Sequence, residues 1–392
     1  MNERSRLALV VWSVLVSQVL LYPGLDETVS ALGGSESILA GTWFLVAEFA
    51  AFVVCAVLWG VVSDSLGTRT PLVVLGAAGG AASYFAVALT PYVGVGFGVV
   101  LLLRVVGGAF TIGAFSLSIT MLMDLSGGHG RNMGAAGTAI GLGAALGSVV
   151  GGQLATLDPL APLYGGGVLL AGATALAATV PDRNAGGGLP IGAVVRRVRS
   201  RPTLLVPFAF GYIDRLTAGF FALVGVAYFR DTFGIDAATA GVTLALFFVP
   251  FAVLQYPVGW LSDRVGRFLP VVVGSLLYGV TIVAVALAPA YGVAAALMVL
   301  VGVCGAFVSP TTMALVTDIV PPTERGAAMG GFNVFSSLGM LSGFVAGGTV
   351  TELYGYLPAF LVAGGTEIGI AVIASRAVYR ISSEGNSALS SA

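Results

Sequence analysis

The chain has 392 residues, of which 57% are hydrophobic and only 9% are charged, with a formal net charge of -1. Its mean hydropathy of +1.00 lies outside the range of soluble globular proteins, so the composition indicates an integral membrane protein. All 17 basic residues are arginine. Without a lysine no retinal Schiff base can form, which excludes light-driven pumps and photoreceptors of that kind.

The first predicted element is an apolar run that begins after Arg6 and ends at Pro23. Its charged head and apolar body are typical of a signal peptide, but no small-residue cleavage site closes the run. We therefore expect it to be a retained first membrane helix.

The rest of the chain divides into similar runs. A bilayer core of about 30 Å needs about 20 apolar residues per helix. Polar, proline and glycine breaks give twelve such runs, which predict an all-α membrane protein. The predicted spans, numbered 1 to 12, are 7–29, 38–62, 70–90, 95–123, 133–156, 161–180, 204–228, 239–261, 269–289, 291–317, 328–350 and 356–378.

Arginine placement sets the orientation of these spans. If both termini lie on one side, 14 of the 17 arginines lie there, only Arg230 lies on the other side, and Arg104 and Arg215 fall inside spans. Because arginine is enriched in cytoplasmic loops, both termini are predicted to be cytoplasmic.

The sequence repeats itself on the cytoplasmic side. "GVVSDSLGTRT" (60–70) follows span 2, and "GWLSDRVGR" (259–267) follows span 8, with their aspartates 199 positions apart. "DLSGGHGR" (124–131) and "DIVPPTER" (318–325) end spans 4 and 10 in the same way.

The repeat predicts two six-helix bundles with a binding site between them. The expected division is a first bundle 1–180, a cytoplasmic linker 181–203, a second bundle 204–378 and a disordered cytoplasmic tail 379–392.

The repeated loops contain the residues of a cytoplasmic gate. Gly60 and Gly67 permit a tight turn, and Asp64 can meet arginines or the positive N-terminus of a helix. The alternative is that these residues only fix the turn and the topology. The predicted gate residues are Gly60, Asp64, Gly67, Arg69, Gly259, Asp263, Arg264, Gly266, Arg267, Asp124, Arg131, Asp318 and Arg325.

With twelve spans, a central loop and Gly-x-x-x-Asp-x-x-Gly followed by basic residues in both halves, the chain resembles the major facilitator superfamily of secondary transporters. The resemblance implies alternating access. It also implies that Asp64 meets the start of span 11 near Asn333, and Asp263 the start of span 5. Since Ser65 and Thr68 replace basic residues of the family pattern, we expect the second copy to hold more firmly.

Charged residues inside a span cost a few kcal/mol or more each, so each is a functional hypothesis. Arg104 and Asp214 lie roughly 12 and 15 Å from the nearer ends of spans 4 and 7, close to the midplane. Neighbouring Asp214 and Arg215 project about 100° apart, and Asp214 is expected to face the interior. The five such residues are Glu48, Arg104, Asp214, Arg215 and Glu367.

The resemblance assigns roles to these charges. It implies that spans 1, 4, 7 and 10 line the cavity and that spans 3, 6, 9 and 12 face outward. "LLLRVVGGAF" (101–110) is similar to the span 4 motif of proton-coupled members, and "GAALGSVVGG" (143–152) to the span 5 motif of drug:proton antiporters, with Ser148 in place of a proline. Glu48, Arg104 and Asp214 are the predicted proton-coupling residues, the alternative being a structural ion pair. Glu367, in span 12, is expected to be structural.

The cavity spans also contain aromatic, methionine and a few polar residues, which suit an amphiphilic ligand. The predicted substrate-binding residues are Gln18, Tyr22, Arg104, Thr111, Phe115, Asp214, Phe221, Ser309, Met313 and Asn333.

The prediction is a secondary active transporter in the plasma membrane, driving proton-coupled efflux of small amphiphilic compounds. An importer or facilitator of a sugar or small organic anion, and a transporter-like sensor, remain alternatives. An enzyme is not expected, since the one histidine, His129, lies in a loop and no phosphate-binding loop appears. We expect a monomer whose partners are a small-molecule substrate, protons and the lipid bilayer, with no nucleic acid, cofactor or metal.

Overall fold

A computed structural model describes residues 2–125, 129–182, 201–321 and 324–390. Side chains are described for these residues except 57, 129–135, 326–327 and 383–390. The described chain is helical and contains no strand.

Seven helices form the first part of the chain. Helix α1 ends before Pro23 and α2 begins after it, so the predicted span 1 (7–29) is divided between two helices. The helices are α1 Glu3–Val19, α2 Leu25–Ala31, α3 Ile38–Leu66, α4 Thr70–Val93, α5 Phe97–Asp124, α6 His129–Leu157 and α7 Ala161–Ala177.

The second part contains two π-helical segments, Phe221–Gly225 inside span 7 and Leu269–Val273 at the start of span 9. The last helix runs into the segment for which the sequence predicts a disordered tail. A 3-10 turn at Pro202–Leu204 precedes α8 Leu205–Phe220, followed by α9 Val226–Phe233, α10 Ala237–Val265, α11 Gly274–Ala286, α12 Tyr291–Ile319, α13 Arg325–Tyr354 and α14 Tyr356–Ser390.

Ten helical stretches of the described chain are long and apolar enough to cross a membrane, judged by length and composition. The first and sixth predicted spans correspond to shorter helices, since α1 and α7 have 17 residues each. The all-α membrane fold is confirmed, and the count of twelve spans stays a prediction.

The chain forms two compact units. Unit 1 contains Met1–Gly188 and Val226–Phe248, and unit 2 contains Leu189–Gly225 and Val249–Ala392. Thus α9 and the first part of α10 belong to unit 1, although the predicted division assigns them to the second bundle. Most of the predicted linker, 183–200, lies outside the described residues.

The internal repeat is visible in the helix pairs of each unit. In unit 1, α1 packs on α6 and α4 packs on α5 and α7; in unit 2, α8 packs on α13 and α11 packs on α12 and α14. Glycines four residues apart, in "GAALGSVVGG" (143–152) on α6 and "GMLSGFVAGG" (339–348) on α13, permit the pairing of α1 with α6 and of α8 with α13. A Cβ at Gly151 would lie 2.3 Å from the Leu20 carbonyl oxygen, and one at Gly339 would lie 1.9 Å from that of Tyr212. The repeated glycines therefore bring helix backbones together.

Candidate transport site and repeated loops

A buried ion pair lies inside unit 1. Arg104 Nη2 donates to Glu48 Oε2, and both side chains are only 2% exposed. Arg104 Nε donates to the Phe44 carbonyl oxygen at 3.5 Å, and the guanidinium carbon lies 4.3 Å from the Phe44 ring centroid. These contacts offset part of the cost of removing two charges from water.

The glycines that follow Arg104 explain why the two charges meet. Gly107 and Gly108 are three and four positions further along α5, so they share its face with Arg104. A Cβ at Gly108 would lie 2.2 Å from the Glu48 carbonyl oxygen, and one at Gly107 would lie 2.5 Å from Ser83 Oγ. The absence of side chains lets α5 approach α3 closely, which places the Arg104 guanidinium at the Glu48 carboxylate.

Three further polar residues surround this pair. The Tyr84 hydroxyl donates to the Ser17 carbonyl oxygen at 3.1 Å and faces Glu48 Oε1 at 3.5 Å. Tyr22 is buried within electrostatic reach of Glu48 and Arg104. Gln18 lies against Glu48, although its Nε2 completes no hydrogen bond with a described residue.

The structure thus brings four predicted residues together and adds one that sequence reasoning missed. Tyr84 lies in span 3, which the family resemblance directs outward, yet its ring is buried in unit 1. The available signal was a tyrosine in the middle of an apolar span.

A second group of predicted residues lies in unit 2. Asp214, on α8, is buried, whereas the side chain of the adjacent Arg215 is 38% exposed, with Nε 3.9 Å from Asp214 Oδ2. Ser309, on α12, lies beside the Asp214 carboxyl. The two predicted residues Asp214 and Ser309 therefore belong to one buried polar group.

The remaining predicted substrate residues make other contacts. Phe115 faces Phe52, with ring centroids 5.7 Å apart, and Phe221 packs against Phe220 and Phe360. Thr111 is fully buried in α5, Met313 packs on the hydrophobic cluster around Phe208, and Asn333 is exposed.

The first loop of the repeat is anchored at both ends. Gly67 ends α3 with a φ of 64°, the left-handed region that favours glycine. Buried Arg69 donates to Asp124, which ends span 4. Asp182 accepts the backbone N–H groups of Arg69 and Thr70, at 2.9 Å each, and the Thr68 hydroxyl. Asp182 was not among the predicted residues, because nothing in its sequence surroundings marks it as the cap of a distant helix.

The second loop uses an equivalent ion pair. Gly266 has a φ of 84°, and Arg267 contacts Asp263 at 2.6 Å and Asp318 at 2.9 Å. In each unit, therefore, an arginine of the loop binds the aspartate that ends span 4 or span 10. Asp182 anchors the end of the first loop. At the corresponding position of the second loop, the Phe268 ring packs against the Tyr379 ring, with their centroids 5.5 Å apart.

The other predicted gate residues have less defined roles. Gly60 and Gly259 lie inside helices rather than in the turns, and a Cβ on Gly60 would meet no atom within 4 Å. Arg264 stacks on the Trp260 ring at 3.7 Å. Asp64 and Arg325 are exposed, and the side chain of Arg131 lies outside the described residues. The expected contacts of Asp64 and Asp263 with spans 11 and 5 stay predictions.

An ion pair between α9 and α2 joins distant parts of the sequence within unit 1. Arg230, on α9, donates to both carboxylate oxygens of Glu27 on α2, with Nη1 2.6 Å from Oε2. Asp26 lies further away, with its Oδ2 3.9 Å from Arg230 Nη1.

Comparison with known proteins identifies the family. The model of the Major Facilitator Superfamily matches residues 7–226 and 208–388. An uncharacterised MFS-type transporter of Methanocaldococcus jannaschii is 32% identical over 39% of this chain. The matched segment spans 42% of that relative's length. The class G tetracycline resistance protein of Vibrio anguillarum is 26% identical over 83% of this chain and 84% of its own.

A solved structure has the same fold. The bacterial homologue of the human lysosomal transporter Spinster superposes with a TM-score of 0.78 at 15% identity, covering 97% of both chains. The matches confirm the resemblance drawn from the repeated loops. The chain therefore belongs to the major facilitator superfamily and is a multi-pass plasma-membrane protein.

Proposed function

We propose that this protein is a secondary transporter that exports small amphiphilic compounds in exchange for protons. The observation that carries the proposal is the buried pair of Glu48 and Arg104, surrounded by Gln18, Tyr22 and Tyr84. A buried charge pair is rare in a membrane protein and is tolerated when it serves a transport or proton pathway.

The pair offers a direct route from proton binding to conformational change. While Glu48 is ionised, it neutralises Arg104 and the site stays closed to water. Protonation of Glu48 leaves the arginine without a counter-charge in an apolar interior, which is strongly unfavourable. A conformation that gives Arg104 water or an anionic partner then becomes favoured, so proton binding shifts the population. Asp214, buried in unit 2, is the second proton acceptor of the proposal.

The substrate class rests on two supports. Phe115, Phe221 and Met313 lie on spans that line the cavity in this family, and such side chains suit apolar and aromatic ligands. The Vibrio anguillarum relative, matched over most of its length, is named for resistance to tetracycline, an amphiphilic drug.

Reconstitution tests the proposal. Purified protein in liposomes with an acidic interior should accumulate ethidium or tetracycline, and dissipating the pH gradient should stop accumulation. Glu48→Gln and Asp214→Asn should each reduce gradient-driven accumulation at least tenfold, whereas Glu352→Gln, at an exposed position of α13, should not. If both buried variants accumulate the probes as the wild type does, the coupling scheme is wrong.

A small organic anion is the second candidate substrate. The observation in its favour is Arg215, whose partly exposed guanidinium could bind a carboxylate. A thermal-shift screen at two pH values separates the candidates. Stabilisation by small acids that Arg215→Gln abolishes, with none by lipophilic cations, would favour the anion.

A further inference from the structure

Glu367 is a buried carboxyl that the proposed coupling scheme does not use. It lies on α14 in unit 2, and its side chain has no exposed surface. The Ser275 hydroxyl on α11 donates to Oε1, whereas Oε2 completes no hydrogen bond with a described residue.

The groups facing Glu367 provide no counter-charge. Thr217 and Asp214 on α8 interact with the carboxyl, as do Tyr278 on α11 and Cys304 on α12. Arg215 is the cation of this region, and its side chain is partly exposed. It interacts electrostatically with Asp214 and Tyr278. No cation of the described chain interacts electrostatically with Glu367 itself.

The hydroxyls in this group are also incompletely bonded. Thr217 Oγ1 and Tyr278 Oη are buried, and neither completes a hydrogen bond with a described residue. Both hydroxyls can accept a hydrogen bond as well as donate one. A protonated carboxyl would place its carbonyl oxygen at the Ser275 donor and its O–H towards these acceptors.

We propose that Glu367 is a proton-binding site, and that its carboxyl carries a proton in this conformation. An ionised carboxylate here would be buried without a cation and beside a second carboxyl, Asp214, which is the costlier arrangement. A role for Glu367 in transport rests on the proposed proton coupling. The protonation of Glu367 is argued from its surroundings and does not depend on that coupling.

Infrared spectroscopy of the full-length protein in nanodiscs at neutral pH tests the site directly. A protonated carboxyl gives a carbonyl stretching band that a carboxylate lacks. We expect such a band in the wild type, its loss in Glu367→Gln and its retention in the exposed control Glu352→Gln.

Ser275→Ala gives a second test that does not depend on the folding of the Glu367 variant. It removes the donor to Oε1, so the same band should persist and move to higher frequency. A wild-type spectrum with no band that depends on Glu367, or a band that Ser275→Ala does not move, would overturn the proposal.

The same samples separate this proposal from the proposed function. A Glu367-dependent band in protein that shows no gradient-driven flux of ethidium or tetracycline would support the proton site and contradict the exporter. Gradient-driven flux without the band would contradict the proton site and support the exporter.

Discussion

At the residue scale, Glu48 and Arg104 are stable only as a pair. Each is buried, and each supplies the charge that neutralises the other. Glu48→Gln leaves a buried guanidinium without a counter-charge, and breaking a buried pair in this way costs about 3–5 kcal/mol. We expect a lower thermal unfolding midpoint in detergent for Glu48→Gln and for Arg104→Gln.

The double variant tests whether the pair itself is responsible. With both charges removed, Glu48→Gln/Arg104→Gln should be more stable than either single variant. Destabilisation in the double variant equal to the sum of the two single effects would mean that the residues act independently. Glu352→Gln controls for the loss of a carboxylate at an exposed position.

The sequence identified the charges of the buried polar group in each unit but not all of their partners. Glu48, Arg104 and Asp214 stand out because a charge in an apolar span is conspicuous. Which groups meet depends on the rotation and depth of each helix, and a single sequence does not specify these. Tyr84 and Tyr278 were not predicted for this reason. The position of Glu367 in span 12 likewise gave no indication that it interacts with Asp214.

At the element scale, the approach of α5 to α3 depends on a glycine. A Cβ at Gly108 would lie 2.2 Å from a backbone oxygen, which cannot move aside as a flexible side chain can. Gly108→Ala should therefore force the helices apart and cost about 1–3 kcal/mol.

Gly98 provides the matched control on the same helix. A Cβ there would meet no atom within 4 Å, so Gly98→Ala should be neutral or slightly stabilising. The measurement is the thermal unfolding midpoint of each variant, which should be lower for Gly108→Ala than for Gly98→Ala. Equal midpoints would show that close packing at Gly108 does not contribute to stability.

Asp182 stabilises the first loop of the repeat by accepting two backbone N–H groups at the start of α4. Loss of such a cap costs about 1 kcal/mol, so Asp182→Ala should accelerate amide hydrogen exchange at residues 68–72 roughly fivefold. Asp158→Ala removes a comparable contact, to the Leu160 N–H, and should leave exchange in this loop unchanged. Equal exchange in the wild type and Asp182→Ala would contradict the anchoring role.

Element boundaries were largely predictable from the sequence, because apolar runs and their proline and glycine breaks follow from the thickness of the membrane. Gly67 and Gly266 end helices in the left-handed region, as the repeated turn requires. The π-helical segments were not predictable, since Phe221–Gly225 and Leu269–Val273 differ little in composition from the helices around them.

At the scale of the whole molecule, the sequence repeat predicts two halves, but the compact units divide the chain differently. Val226–Phe248 follows the start of the second half in sequence and belongs to unit 1. Close backbone approaches explain this, because a Cβ at Gly241 would lie 2.2 Å from the Ser148 carbonyl oxygen. A sequence repeat shows which segments are equivalent, but it does not show which helices pack together in the folded chain.

The ion pair between Arg230 and Glu27 is the charged part of the same attachment. Its geometry is bidentate, and the side chains of Arg230 and Glu27 are 18% and 35% exposed. Glu27→Gln should release Val226–Phe248 partially, at a cost of about 1 kcal/mol at most, so amide exchange in α9 should accelerate up to roughly fivefold.

Asp26 is the control that makes this prediction specific. It is the adjacent carboxylate, but it lies 3.9 Å from Arg230 and its side chain is 52% exposed. Asp26→Asn should therefore change exchange in α9 much less than Glu27→Gln, because a single exposed contact contributes little. The same acceleration in both variants would indicate that the net negative charge of α2, rather than the bidentate pair, attaches this segment to unit 1.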